Sequence, residues 1–360
     1  MTIRGIKNLN LKNKLVILRA DFNVLIKNGK VADDFRIQRT MPTIRLLRRK
    51  GAKIIILSHI TEGRAASLRP VAKYLNKYFK TNFYPLSFNK KIFEKISEMK
   101  NADVILFENI RRYKAEEKND ENFAKKLARM GDIYINDAFS VSHRSHASIS
   151  AITGYLPSYA GLLFEEEYKN LKIAFNPPHP FLLILGGVKF RTKLGVLERF
   201  NKIADHIFIG GALANNFFWA RKIDVGDSII DKKVDIKKYL RNPKIVVPLD
   251  VRRKGKKILD IGPLAEKQVG SLIKEARFIL WNGPVGDYEV KGFEKGTLSI
   301  ARLISRSKTK SIIGGGDTVA AVEKIGLKKF SFVSTAGGAM LEFLAKGTLP
   351  GIEALKKSKK

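Results

Sequence analysis

The sequence predicts an α/β fold of two domains, each a parallel sheet flanked by helices. Three observations carry this. Short apolar, β-branched runs alternate with amphipathic helical patterns along both halves of the 360 residues. Most of these runs end in a cluster of Arg, His, Asp, Asn or Gly, and parallel sheets bind ligands beyond the carboxyl ends of their strands. Between the halves, Asn176-Pro177-Pro178-His179-Pro180 interrupts all regular structure.

Taken in order, Leu15 to Leu18 reads as the first strand. Asp33 and Asp34 stand as caps before a helical pattern of Ile37, Met41, Ile44 and Leu47, and Pro42 must sit in the first turn of that helix or kink it. Ile54 to Leu57 and Val104 to Phe107 are strands. Asn119 to Met130 is a helix with Phe123, Leu127 and Met130 on one face and acids in its first turn. Ile133 to Ile135 is the next strand, and Glu165, Glu166 and Glu167 open an acidic helix start. The second half repeats the rhythm. Its strands are Phe181 to Leu185, Ile207 to Ile209, Ile245 to Val247, Phe278 to Trp281, Ser311 to Ile313 and Phe332 to Val333. The expected division is a first domain over residues 1–163, a connecting helix and hinge over 164–180, a second domain over 181–345, and a C-terminal segment, 346–360, that returns to the first domain.

Composition narrows the class. Hydrophobic residues are 44% of the chain, enough for substantial cores, and 28 Gly with 12 Pro are too few for low complexity. No run of about 20 apolar residues is present, so no membrane span is expected. The opening MTIRGIKNLNLKNKL lacks a signal-peptide core, and there is no cysteine; both fit a cytoplasmic protein. The net charge of +34 favours anionic partners. It is compatible with a polyanionic metabolite, with nucleic acid, or with a basic bias of the source proteome on a solvated surface. Weak, salt-sensitive association with RNA follows from it in any case.

The first half concentrates Arg and His at strand ends. Arg19-Ala20-Asp21-Phe22-Asn23 follows the first strand and Arg36 opens the next helix. Ser58-His59, Glu108-Asn109-Ile110-Arg111, Asn136-Asp137-Ala138-Phe139 and His143-Arg144-Ser145-His146 close others. Arginine forks match phosphate and carboxylate oxygens. Arg36, Arg111 and Arg144 with His59 and His146 therefore form a cationic pocket, and Asp21 and Asn23 are placed to accept a substrate hydroxyl. Each Arg alone is an ordinary surface charge; five such groups at one sheet edge are not. A zinc site from His143 and His146 lacks a third ligand.

The second half concentrates Gly at strand ends: Gly186-Gly187, Gly210-Gly211, Asn282-Gly283-Pro284-Val285-Gly286, Gly314-Gly315-Gly316 and Gly337-Gly338. Bare backbone admits an anion to main-chain N–H groups, and a helix N-terminus adds partial positive charge. In IIGGGDTVAAVEKIG, Ile312 to Gly326, a strand runs through three glycines into Asp317, Thr318 and a helix with Val319, Val322 and Ile325 on its apolar face. A carboxylate there suits a Mg²⁺-nucleotide; the plain alternative makes Asp317 an N-cap. Lys189 and Lys193 lie one helical turn apart, if the helix begins by Lys189, and both can point at phosphate. The chain has no P-loop and no Gly-x-Gly-x-x-Gly unit, which excludes the P-loop and dinucleotide-dehydrogenase classes.

With both constellations placed, the sequence resembles the phosphoglycerate kinase family from about residue 4 to residue 355. RADFNVLIKNGKVADDFRI, FENIRRYKAEEKND, INDAFSVSHRSHAS, LGGVKFRTK, LDIGP, LWNGPVGDYE, IIGGGDTVAAVE and STAGGAMLE carry the resemblance. It implies two Rossmann-like domains with the active site in the cleft between them. It also implies reversible Mg²⁺-dependent phosphoryl transfer between 1,3-bisphosphoglycerate and ADP, giving 3-phosphoglycerate and ATP, in glycolysis and gluconeogenesis by hinge-bending closure. A monomer is expected, with no specific nucleic-acid partner.

By position, the resemblance assigns Asp21, Asn23, Arg36, His59, Arg111, Arg144 and His146 to the glycerate and its 3-phosphate. Gly187, Lys189, Lys193, Gly211, Asn282, Pro284, Gly286, Gly315, Gly316 and Thr318 fall to the nucleotide, with Glu289 as the ribose partner and Asp317 toward Mg²⁺. Arg36, Lys189 and Gly316 act on the transferred group.

Departures from the family pattern are Glu62 at a usual arginine position, with Arg64 expected to replace it, Thr192 before the second lysine, and Ala212 and Ala336 in place of glycines. The segment from Asp250 to Leu259 is short and basic, and Arg112 is an extra charge. Two rival readings are an RNA-associated protein on the same fold, for which no aromatic stacking platform is present, and an acyl-phosphate kinase for another carboxylic acid, favoured only by Glu62.

Overall fold

The computed structural model describes residues 3–358 apart from 62–65, 324–325 and 327–328. Glu62 and Arg64, and Ile325 of the helical pattern, lie outside the described residues. The chain divides into two compact units, Met1–Tyr168 with Thr348–Lys360, and Lys169–Gly347.

The first unit is built on a six-stranded parallel sheet: β1 (Leu15–Arg19), β4 (Lys53–Leu57), β5 (Thr81–Tyr84), β6 (Val104–Phe107), β7 (Ile133–Asn136) and β8 (Ser158–Ala160), in the order β5-β6-β4-β1-β7-β8. A small hairpin, β2 (Ile26–Lys27) and β3 (Lys30–Val31), precedes the first helix. Its helices are α1 (Phe35–Arg49), α2 (Arg69–Leu75), α3 (Lys90–Ser97), α4 (Lys114–Glu117) and α5 (Glu121–Ala128). Val16, Leu18, Ile54 and Ile56 pack with Ile37, Met41, Ile44 and Leu47 of α1 in one core. That burial is what holds α1 through Pro42, which lies well inside the helix rather than in its first turn. Asp34 occupies the N-cap without a side-chain cap bond, while Asp33 accepts a hydrogen bond from Phe35 N at 2.9 Å.

Helix α5 is shorter than the periodicity suggests because Asp120 caps it, accepting from Phe123 N at 2.7 Å. Helix α6 (Leu162–Ile173) begins before the three glutamates, because Asp137 Oδ1 accepts from the backbone N–H groups of Leu163 and Phe164 at 2.9 and 3.1 Å. Two edge strands, β5 and β8, carry no alternating apolar run and are invisible in the sequence pattern; their neighbours supply the order.

The second unit has its own six-stranded parallel sheet: β9 (Phe181–Leu185), β10 (His206–Ile209), β11 (Ile245–Val246), β14 (Phe278–Asn282), β15 (Lys310–Gly314) and β16 (Phe332–Val333), in the order β11-β10-β9-β14-β15-β16. The basic segment after Asp250 is an antiparallel hairpin, β12 (Val251–Lys254) and β13 (Lys257–Ile261), turning at Gly255. The helices are α7 (Arg191–Phe200), α8 (Gly211–Ala220), α9 (Pro263–Glu275), α10 (Lys295–Arg306), α11 (Gly316–Glu323) and α12 (Gly338–Lys346). Helix α11 buries Thr318, Ala321 and Val322, a face rotated from the one its valines suggest. Helix α13 (Pro350–Lys357) belongs to the first unit, where Gly351 N donates to Ser142 O at 2.8 Å.

Each sheet reverses its strand order beside its first strand, between β1 and β7 and between β9 and β14. Loops leaving the two strands there diverge to opposite faces and open a crevice at the carboxyl edge. The Arg/His cluster of one unit and the Gly turns of the other fall at these two points.

Candidate functional site

In the first unit, the chain after β1 places Asp21 at the crevice, 5% exposed. Arg36 in the first turn of α1 reaches it, with Nη1 3.1 Å from Asp21 Oδ2, and also donates to Asn23 O at 3.1 Å. Ser140 Oγ and Asn23 N donate to the same carboxylate. Burial pushes the Asp21 carboxyl up, but Arg36, the facing His59 ring, Ser140 and Asn23 N outweigh it and hold it at about 2.

His59 follows β4, with Nδ1 3.8 Å from Asp21 Oδ1. Its burial, together with Arg19, Arg111 and Arg36, drives its pKa well below the usual imidazole range against the pull of Asp21. His146 is held down to about 4 by burial and by Arg111, Arg19 and Arg144. Burial and the like charges of Arg19 and Arg144 lower the Arg111 guanidinium too, and its Nε is buried without a hydrogen-bond partner among the described residues. Burial is the largest cause in all three, and the guanidinium groups gathered at this edge add to it.

Asn23 plays another part than that of a free acceptor. Its Oδ1 is taken by Thr61 N and Thr61 Oγ, each at 2.9 Å. Arg144 is exposed and contacts His143 Nε2 at 3.3 Å. Arg112, the unplaced charge, pairs with Glu108 at 3.3 Å, a carboxylate that also ties down Ser67 and Leu68.

Below these residues runs a buried network that spacing does not reveal. Arg19, fully buried, donates from Nε to Ser148 Oγ at 2.8 Å, and Ser148 Oγ donates to Glu116 Oε1 at 2.6 Å. Arg19 Nη2 stands 3.4 Å from His59 Nδ1. Arginine as the last residue of an apolar strand is the one signal of this in the sequence.

In the second unit, the strand-end turns interlock through their backbones. Gly186 N donates to Asn282 O at 2.9 Å, Gly187 N to Pro284 O at 2.7 Å and Gly211 N to Val285 O at 2.9 Å. Glycine is required where these turns touch: Gly283 has φ +96°, and a Cβ on it would overlap Gly186 O. Gly315, φ +100°, would bring a Cβ to 3.0 Å from Asn282 Nδ2.

A cavity of about 410 Å³ opens beside these turns. Of the expected nucleotide residues, Gly187, Gly211, Pro284, Gly286, Glu289 and Asp317 line it. Lys193 stands nearby: a Cβ on Gly187 would lie 3.5 Å from its Nζ. Burial brings the Lys193 ammonium down to about 8, against the pull of Asp317. Lys189 is exposed and precedes α7, which starts at Arg191, so the two lysines do not share a helical face; Thr192 Oγ donates to Lys189 O at 2.7 Å.

Asn282 and Thr318 act as braces: Asn282 Nδ2 donates to Gly314 O at 3.0 Å, and Thr318 Oγ accepts from Gly283 N at 2.7 Å. Gly316 opens α11 with nothing within 4 Å of its Cβ direction, and Asp317 lies exposed in the helix's first turn rather than at a cap. The β12–β13 hairpin supplies Val251, Lys257 and Leu259 to the cavity wall, and Asn215 of α8 is a further lining residue that the sequence reading missed. Among the described residues, no group of three or more His, Cys, Asp or Glu gathers to hold a metal, and no helix is long and apolar enough to cross a membrane.

A family model described as phosphoglycerate kinase matches residues 6–347. The phosphoglycerate kinase of Wolbachia pipientis wMel is 42% identical over 397 aligned positions, covering 99% of each chain, and that of Pseudothermotoga lettingae is 40% identical over 99% of each. The alignments are longer than this chain, so these relatives carry segments it lacks. Among solved structures, phosphoglycerate kinase from Coxiella burnetii superposes with a TM-score of 0.87 at 33% identity, over 99% of this chain and 100% of that one. The enzyme from Pyrococcus horikoshii OT3 gives 0.87 at 30% identity, over 98% of each. By its residues, its two sheets and these relatives, the chain belongs to the phosphoglycerate kinase family.

Proposed function

We propose that the protein transfers a phosphoryl group reversibly between 1,3-bisphosphoglycerate and ADP. In the direction of ATP consumption, a carboxylate oxygen of 3-phosphoglycerate attacks the γ-phosphorus of ATP. The new bond is the acyl phosphate O–P bond; the bond that breaks joins that phosphorus to the β–γ bridging oxygen, whose electron pair leaves with ADP. The attacking carboxylate is already ionised at neutral pH, so no general base is needed. Catalysis of this kind rests on positioning and on positive charge over the moving group.

The observation that carries the proposal is the gathering of arginines at one edge of the first unit: beyond their burial, Arg111 is lowered by Arg19 and Arg144, and His146 by all three, while Arg36 keeps Asp21 ionised. A doubly charged 3-phosphate relieves that repulsion. Asp21 would accept the substrate hydroxyl and Arg36 would face the transferred group. In the second unit, Lys193 and the N-terminus of α11 would take the nucleotide phosphates, and the cavity would take the base and ribose, with Glu289 toward the ribose. Lys189, exposed ahead of α7, would act on the moving phosphoryl group.

The donor set fits a Mg²⁺ that arrives with its nucleotide. Asp317 offers one carboxylate at the cavity, and magnesium prefers one or two carboxylates with phosphate oxygens and water to an all-protein cage. Bound there, the ion would offset phosphate charge. A coupled assay with 3-phosphoglycerate, ATP and Mg²⁺ tests the proposal. Turnover that saturates in 3-phosphoglycerate is expected; turnover only with another carboxylic acid would redirect it to a different acyl-phosphate kinase.

A further inference from the structure

Glu116 is fully buried on α4, on the segment that leaves β6 and also carries Arg111. Three hydrogen bonds tie it to the segment that carries Arg144 and His146. Glu116 O accepts from Ala147 N at 2.9 Å, Oε2 from Ser148 N at 2.9 Å, and Oε1 from Ser148 Oγ at 2.6 Å. Ser148 Oγ accepts in turn from Arg19 Nε at 2.8 Å, which anchors the clamp to the end of β1. The two segments are held together against their own charge, because Arg144 bears on Arg111 and Arg111 bears on His146. Burial pushes the Glu116 carboxyl up, opposed by Arg19, by both Ser148 bonds and by Arg111. Phosphoryl transfer makes no use of a buried carboxylate beside an anion's pocket, where its Coulomb effect on a phosphate is repulsive. What Glu116 contributes there is position.

We propose that Glu116 is a positioning residue: by clamping the 144–148 segment to the Arg111 segment, it fixes Arg144 and His146 relative to Arg111 for the 3-phosphate of 3-phosphoglycerate. The inference rests on reading this edge as the 3-phosphoglycerate site. Glu116→Gln separates position from charge, because the two predict opposite signs. Gln removes a negative charge, which by itself tightens the binding of an anion. Gln also offers one acceptor oxygen where the carboxylate offers two, and sets its NH2 against a Ser148 donor, which loosens the clamp.

Titration calorimetry on the full chain, with 3-phosphoglycerate and separately with ADP, tests this. Glu116→Gln is expected to bind 3-phosphoglycerate about tenfold more weakly than wild type, the loss of one hydrogen bond at a buried site. Its affinity for ADP is expected to be unchanged, and in the coupled assay KM for 3-phosphoglycerate rises more than kcat falls. Ser148→Ala keeps the Glu116 charge and removes the hydroxyl, and is expected to weaken 3-phosphoglycerate binding in the same direction. Unchanged or tighter binding of 3-phosphoglycerate by Glu116→Gln overturns the inference. So does an equal loss of ADP affinity, which marks general damage to the fold. If Glu116→Gln does not fold, Ser148→Ala decides, and undiminished 3-phosphoglycerate affinity there overturns the inference. A wild type that binds ADP but not 3-phosphoglycerate refutes the reading of this edge itself, and the inference with it.

Discussion

Arg36 Nη1 lies 3.1 Å from Asp21 Oδ2, joining the first turn of α1 to the loop that leaves the first strand. Without Arg36, the burial that opposes the Asp21 charge loses its largest counterweight and is offset only by His59, Ser140 and Asn23 N.

Replacing Arg36 by Ala is therefore expected to do two things. Phosphoryl transfer falls at least about 100-fold through loss of charge at the transferred group. Acid stability falls as well. Asp21 titrates at about 2 in the folded protein, below its unfolded value, so its contribution is present above about 4 and is lost as the pH falls through 2. In Arg36→Ala the folded pKa rises and acid unfolding, followed by circular dichroism, moves to higher pH. An unchanged acid midpoint would show that the ion pair does not set the charge state of Asp21.

Asp137 carries the opposite sign. Burial raises its carboxyl to about 7, against the amides of Phe164 and Leu163 at the start of α6. The folded state then binds more protons than the unfolded chain between about 4 and 7, so this group's stabilisation is lost as pH rises through that window. Asp137→Asn keeps the amide acceptor and discards the charge. It is expected to be more stable than wild type at pH 8 by more than about 1 kcal/mol, with the gap closing toward pH 4. Urea unfolding at the two pH values measures it.

Lys193 is brought by burial to about 8, so near that pH a large share of the free protein holds it neutral. Nucleotide phosphates favour the charged form. Binding of ADP at pH 8 is expected to take up a fraction of a proton, visible as a calorimetric enthalpy that depends on the buffer's ionisation heat. Lys193→Met should abolish that dependence and weaken binding; a Met variant with the same buffer dependence would place the proton elsewhere.

Thr318 is fully buried, and its Oγ is the acceptor for Gly283 N at 2.7 Å. Thr318→Val leaves that N–H unpaired and should cost about 1–3 kcal/mol in chemical unfolding. Thr318→Ser keeps the oxygen and should recover most of it. Equal losses in both variants would assign the effect to the methyl group's packing instead.

The two-sheet layout was legible because strands buried on both faces read as unbroken apolar runs, as in Phe181–Leu185, which is buried throughout. Gly and Arg at their ends were legible for a related reason: the apolar run stops where the strand leaves its sheet at the crevice, so a change of residue type marks the end. The edge strands β5 and β8 were not, since an edge strand is defined by its partner. Thr81–Tyr84 has one buried residue out of four and no apolar pattern.

Within the site, local sequence chose which residues stand at strand ends, and that was enough to single out Asp21, Arg36, His59 and the Gly turns as candidates. It could not say which ends meet. Arg19, Ser148 and Glu116 are separated by 129 and 32 positions along the chain, and only the folded sheet brings them into hydrogen-bond range. The same holds for Asn215, whose unpaired oxygen depends on what else reaches it, and for Lys189 and Lys193, which a helix starting two residues later sets on different elements. Residue type and period are properties of the chain. Burial, charge state and an unmet hydrogen bond are properties of neighbours, and neighbours distant in sequence are supplied by tertiary packing alone.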